Sequence, residues 1–204
     1  MRLLAWLLAL GLAWGCGPGG AIRTQAQFEA ALVRARELSA EHLRAFEDGR
    51  DPGAAARMDL ARARRLYADM MAFDPGRFSL YVGAARIEAA LDNRAGTLRM
   101  VRRALENLPY PTTPASRLLT AEAYHLMALT AFREAQYDAA VARARIAVAI
   151  EPDSPRFRTM LASALLEAGR RAEARRHLDR VLDRTPGYGP AVRLDRLFEE
   201  ALLP

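Results

Sequence analysis

Three histidines, one cysteine and a short glycine-rich stretch are the residues of this 204-residue chain whose types invite a chemical reading. His42, His125 and His177 each stand alone, with no cysteine or second histidine at metal-ligand spacing. The single cysteine, Cys16, excludes an internal disulfide and any multi-cysteine metal centre. Ser39-Ala40-Glu41-His42 brings a hydroxyl, a carboxylate and an imidazole close in sequence, but nothing around it completes a nucleophile with its base. Gly17-Pro18-Gly19-Gly20 lacks the lysine of a phosphate-binding loop and reads as a tether. Gly83 and Gly96 fall in or beside helical runs, where glycine serves packing or a turn. The expectation is a chain that is not an enzyme and that carries no cofactor and no metal.

Recognition is what remains, and arginine is the residue that can supply it. All thirty basic residues are arginine, against 24 acids, for a net charge of +6. An arginine-for-lysine bias of this kind accompanies a GC-rich genome, so the high pI by itself argues little for nucleic acid. Position is more telling. Residues 52–120 carry eleven arginines and six acids, whereas 1–51 carry six of each and 121–204 thirteen and twelve. Within the middle segment Arg57, Arg62, Arg64 and Arg65 form one cluster, and Arg99, Arg102 and Arg103 another. Guanidinium groups pair well with carboxylate and phosphate. Apart from Tyr67 the clusters lack the aromatics that stack bases, which argues against a nucleic-acid partner.

These side chains must be held by some framework, and composition says which. Hydrophobic residues make up 51% and aromatics 7%, with alanine and leucine supplying most of the apolar content. Both are strong helix formers, so the chain is expected to be all-α. The N-terminus is of a different kind. Met1-Arg2 precedes an apolar run from Leu3 to Trp14, too short for the roughly twenty residues of a membrane-spanning helix and suited to a secretory signal. Leu12-Ala13-Trp14-Gly15-Cys16 resembles the lipobox of bacterial lipoproteins, with Cys16 at the position that becomes lipid-modified. It departs from that pattern at Ala13, where leucine is usual, and at bulky Trp14. Ala13-x-Gly15 also meets the small-x-small rule of ordinary signal peptidase, which leaves a soluble exported protein as the alternative. Residues 1–15 are thus a signal and 16–23 a flexible tether. The resemblance implies anchoring through Cys16. Because Gly17 is not acidic, it also implies the outer membrane facing the periplasm in a cell with two membranes.

Beyond the tether four prolines punctuate amphipathic runs: Pro75, Pro109, Pro152 and Pro186, spaced 34, 43 and 34 residues apart. Residues 121–154 place Tyr124, Met127-Ala128, Tyr137, Ala140, Ala144, Ala147 and Pro152 in one unit. Residues 155–188 repeat it with Leu161-Ala162, Leu165, Gly169, Ala174, Leu178, Val181 and Pro186, and with Arg158 where an aromatic is usual. The period and these positions resemble the tetratricopeptide repeat. Alanine at fixed places lets two antiparallel helices approach, and large apolar residues fill the gaps beside it. Residues 78–111 and 24–77 are more degenerate units, the latter opening on a Thr24-x-x-Gln27 capping box. Pro109-Tyr110-Pro111-Thr112-Thr113-Pro114 reads as an insertion in one inter-repeat loop. Residues 190–203 read as a polar capping helix. The expected fold over 24–204 is a right-handed α-solenoid of about four helix pairs plus that cap.

The resemblance implies a concave groove, lined by first helices, that binds partner proteins. By repeat position it is formed by Arg86 in the second unit, by Glu122, His125, Leu129, Phe132 and Arg133 in the third, and by Arg156, Thr159, Ser163 and Leu166 in the fourth. The chain has no lysine, so it does not match the carboxylate-clamp pattern of this family. The clusters Arg62, Arg64, Arg65 and Arg99, Arg102, Arg103 fall on consecutive second helices, which the resemblance stacks side by side on the convex face. Two readings follow. One is an envelope scaffold of the pilus-, secretion- or outer-membrane-assembly type, binding other envelope proteins through the groove. The other is an anion-binding module that uses the convex arginines.

Overall fold

The computed structural model describes residues 21–50, 53–108 and 113–200. The expected signal, Cys16, most of the tether, Pro109 and the last residues of the cap lie outside them. The described residues form nine helices: α1 (Gln25–Glu47), α2 (Gly53–Phe73), α3 (Phe78–Ala90), α4 (Arg94–Glu106), α5 (Pro114–Arg133), α6 (Tyr137–Ile150), α7 (Pro155–Glu167), α8 (Arg171–Arg184) and α9 (Gly189–Glu200). Their starts follow local chemistry. Thr24 accepts from the Gln27 amide while the Gln27 side chain accepts from the Thr24 amide, a reciprocal cap. Ser154 caps α7 ahead of Pro155, which needs no amide partner in the first turn.

Each odd-numbered helix packs against the even-numbered one that follows it, making four hairpins. Alanines carry the close contacts: Ala31, Ala35 and Ala63 in the first pair, and Ala128, Ala131, Ala140 and Ala144 in the third, all buried. The turns inside the hairpins use left-handed backbone at Gly49, Asp92, Ala135 and Gly169, with φ between 56° and 74°. Glycine adopts this conformation freely, whereas alanine and aspartate do so at a cost of about 1–2 kcal/mol. Where α2 meets α3, Gly83 lies against the Tyr67 ring, and a β-carbon there would sit 2.6 Å from the ring edge. Only a residue without a side chain allows that approach.

Two features differ from the sequence expectation, and a third shapes the site. First, α5 starts at Pro114, capped by Thr113 with a reciprocal Ser116 bond, so the end of the expected loop insertion is the first turn of a 20-residue helix. Proline reads as a loop breaker but is equally at home in a first helical turn, and here the threonine before it decides. Second, consecutive odd-numbered helices touch one another, whereas among the described residues α2, α4, α6 and α8 share no contacts with each other. The solenoid therefore curls around its odd-numbered helices and splays the even ones apart. Third, α1 has 23 residues and α3 only 13. At 1.5 Å per residue these span about 35 Å and about 20 Å, so the end of α1 overhangs its neighbour.

Candidate functional site

The odd-numbered helices line the concave face, and two cavities lie along it. The larger, about 740 Å³, is bounded by α1, α3, the first half of α5 and the start of α7. Leu32, Leu43, Leu80, Leu118, Leu119 and Phe157 make its apolar wall. Leu118 is 52% exposed, an uncovered leucine that α5 presents to the groove. Arg36, Arg44, Arg77, Arg86 and Arg156 also line the cavity, against Glu47 and Glu122. Arg77 stacks on Phe28 at 4.9 Å. Among the described residues Arg36 and Arg44 make no ion pair, and both are exposed. The groove therefore offers an apolar wall and unneutralised positive charge.

The smaller cavity, about 250 Å³, lies between the overhanging end of α1, α5, α7 and the start of α9. Arg86, Glu122 and Arg156 line both cavities, together with Glu47. These four form one charge cluster. Glu47 pairs with Arg86 and accepts from Arg156 at 2.6 Å, while Glu122 pairs with Arg156 and lies 3.6 Å from Arg86. Two carboxylates neutralise two guanidiniums. Burial lowers the Arg156 pKa, and the Glu47 carboxylate opposes that shift. Such a cluster is weak evidence for net stability, but losing one member strands charge in a poorly solvated place.

His125, Leu129, Arg133, Thr159 and Ser163 line the smaller cavity only. Arg133 bonds the Ala89 carbonyl and Asp92 and lies over the Phe46 ring at 5.2 Å. His125 is buried with its ring 5.2 Å from Phe157, and among the described residues neither its Nδ1 nor Thr159 Oγ1 has a hydrogen-bond partner. Burial pushes the His125 pKa down to about 4, Arg86 adds to this and Glu47 opposes it, so the ring is neutral at pH 7.

Eight of the ten residues expected in the groove thus line one cavity or both, but Phe132 and Leu166 line neither. Both pack against the apolar core of the C-terminal pairs, with Phe132 edge-on to Tyr137. Glu122, His125 and Thr159 are buried. His177 is partly covered, with Arg158 Nη1 3.5 Å from its Nδ1. Arg158, standing where an aromatic is usual, is buried and donates to the Pro152 carbonyl.

Sequence reasoning did not find Glu47, Arg36, Arg44, Leu118 or Phe157. The length of α1 was the available signal for Glu47, because a long first helix must project beyond the second. Among the described residues, the helices that carry the convex arginines are not in contact with each other, contrary to what the resemblance implies. Arg62, Arg64, Arg65, Arg99, Arg102 and Arg103 are all exposed, but α2 and α4 do not touch. Arg62 is paired with Asp59, Arg64 with Glu88 and Arg103 with Glu106. Among the described residues no three metal-ligating side chains gather, and no helix is long and apolar enough to cross a membrane.

Residues 131–194 match the sequence model of the tetratricopeptide repeat. No curated protein matches the chain. Solved structures similar in fold include two crystal structures of MamA. One has a TM-score of 0.51 and 18% identity, covering 87% of each chain. The other has a TM-score of 0.54 and 17% identity, covering 72% of this chain and 85% of that one. Residues 131–194 thus carry a tetratricopeptide repeat, within a stack of helix hairpins similar in fold to MamA.

Proposed function

We propose that this protein is a non-catalytic scaffold whose concave groove holds an acidic, amphipathic segment of a partner protein. The family and fold are those of protein-interaction scaffolds. The observation that carries the finer reading is the larger cavity, where exposed Leu118 shares a groove with the unpaired cations Arg36 and Arg44. A segment with leucine-like and glutamate-like side chains on one face meets both demands. Charge complementarity of this kind sets partner choice and encounter rate more than raw affinity.

The N-terminal segment supports placing this scaffold in the bacterial envelope. Cys16 at the end of an apolar run, followed by Gly17-Pro18-Gly19-Gly20, resembles the arrangement of a lipid-anchored protein. The proposed location is the outer membrane facing the periplasm, with service to pilus, secretion or outer-membrane assembly; without lipidation the protein is soluble and exported. Intact mass of protein extracted from membranes decides this part. A chain starting at Cys16 with added acyl mass supports the anchor, and an unmodified chain cleaved after Gly15 refutes it.

The groove is tested with a labelled synthetic peptide alternating glutamate and leucine, followed by fluorescence anisotropy. Binding is expected to fall sharply in Leu118→Asp and when glutamine replaces the peptide's glutamates. Equal binding in all cases refutes the groove. The convex arginines remain the second reading, with Arg62, Arg64 and Arg103 already paired within the chain.

A further inference from the structure

Contacts between residues far apart in sequence join the two ends of the solenoid. Arg156 on α7 reaches Glu47 at the end of α1, and Arg193 on α9 donates to the Asp48 carbonyl just beyond it. Glu47 is the last residue of its helix, where the backbone dipole is negative, so a carboxylate there is placed against local electrostatics. Its position is explained by Arg86 and Arg156, which it neutralises together with Glu122. Because these four side chains line both cavities, they are the partition between them. Phe46, the neighbouring residue, packs against Ala85, Ala89, Ala123 and Leu126 of α3 and α5, and so fixes the end of α1 to those two helices. Any opening must therefore move α7 and α9 away from α1.

We infer that Glu47 is an internal occupant of the groove: it sits between Arg86 and Arg156 where a partner's carboxylate side chain binds, and the partner's acid displaces it and unclasps α7 and α9 from α1. This rests on the groove reading above. Without Glu47 the cluster holds two guanidiniums against the one carboxylate of Glu122, an excess of positive charge that draws in an external acid. With Glu47 in place the open form is a minor state, and apparent affinity is reduced by the fraction that is closed.

The test uses the full chain with Cys16→Ser and spin labels at Arg50→Cys and Arg196→Cys, two exposed positions on either side of the clasp. The electron-electron distance distribution is expected to be narrow in the parent, and longer and broader in Glu47→Gln and Glu47→Ala. High salt should produce the same change in the parent without any mutation. The glutamate–leucine peptide should bind the Glu47 variants about tenfold more tightly than the parent, the ratio expected if the closed form is about nine-tenths populated. Retained helical circular dichroism shows that the variants are folded. Distances unchanged by either variant and by salt overturn the clasp, even if Leu118→Asp still abolishes peptide binding. Wider distances with unchanged or weaker peptide affinity overturn the competition. Open distances with no peptide bound by any form count against both this inference and the groove.

Discussion

His125 should make this protein sensitive to mild acid, and the size of the effect follows from its surroundings. The imidazole is buried beside Phe157 with Nδ1 unpartnered, and burial holds its pKa down at about 4. In the unfolded chain the pKa returns to about 6.5. The folded state therefore binds fewer protons than the unfolded state between these values. The stability is complete above about pH 6.5 and is lost as pH falls toward 4. A gap of about 2.5 units at 1.36 kcal/mol each gives about 3 kcal/mol from this residue. That is a large part of the ~5–15 kcal/mol total of an ordinary domain. The assay is urea unfolding followed by circular dichroism at about pH 7.5 and about pH 4.5, in the parent and in His125→Gln. Carboxylates that lose their pairs in acid affect both proteins alike. The parent should therefore lose about 2–3 kcal/mol more than the variant over this interval. Equal losses would refute the claim that a buried neutral imidazole underlies the acid response.

Three further substitutions probe the packing. Gly83→Ala places a β-carbon 2.6 Å from the Tyr67 ring and should cost about 1–3 kcal/mol in urea unfolding, through the forced shift of α3 on α2. Ala135→Gly relieves left-handed backbone at φ 56° and should raise stability by up to about 1 kcal/mol, seen as a thermal midpoint higher by a few degrees. Phe157→Ala empties a fully covered site between the third and fourth pairs; it should cost about 3–5 kcal/mol and raise the His125 pKa, readable by NMR titration, as water gains access.

The helix hairpins could be read from the sequence because their cause is local and periodic. Alanines such as Ala140 and Ala174 stand 34 residues apart on equivalent faces, and Pro152 and Pro186 each follow a helix end by two residues. The start of α5 could not be read with the same ease. Pro114 supports either a loop or a first helical turn, and the Thr113–Ser116 cap is what decides. The separation of α2 from α4 is a matter of curvature, which arises from small rotations summed over the stack and leaves no mark on one residue. The charge cluster was hardest to see. Arg156 and Glu122 were placed in the groove, but not in a charge cluster, because Glu47, which also pairs with Arg156, lies far away in sequence, on a helix whose overhang becomes meaningful only when the solenoid curls. Phe132 and Leu166 were placed in the groove by repeat position, yet their side chains complete the core of their own hairpins.

The most direct test of the central claim compares two variants in the same anisotropy titration with the acidic amphipathic peptide. One is Leu118→Asp in the concave groove; the other is Arg99→Ser/Arg102→Ser/Arg103→Ser on convex helix α4. The groove account predicts that the first abolishes binding and that the second leaves it close to the parent at moderate salt. Binding that survives Leu118→Asp and disappears with the convex arginines would contradict it and move the working surface to the outer face.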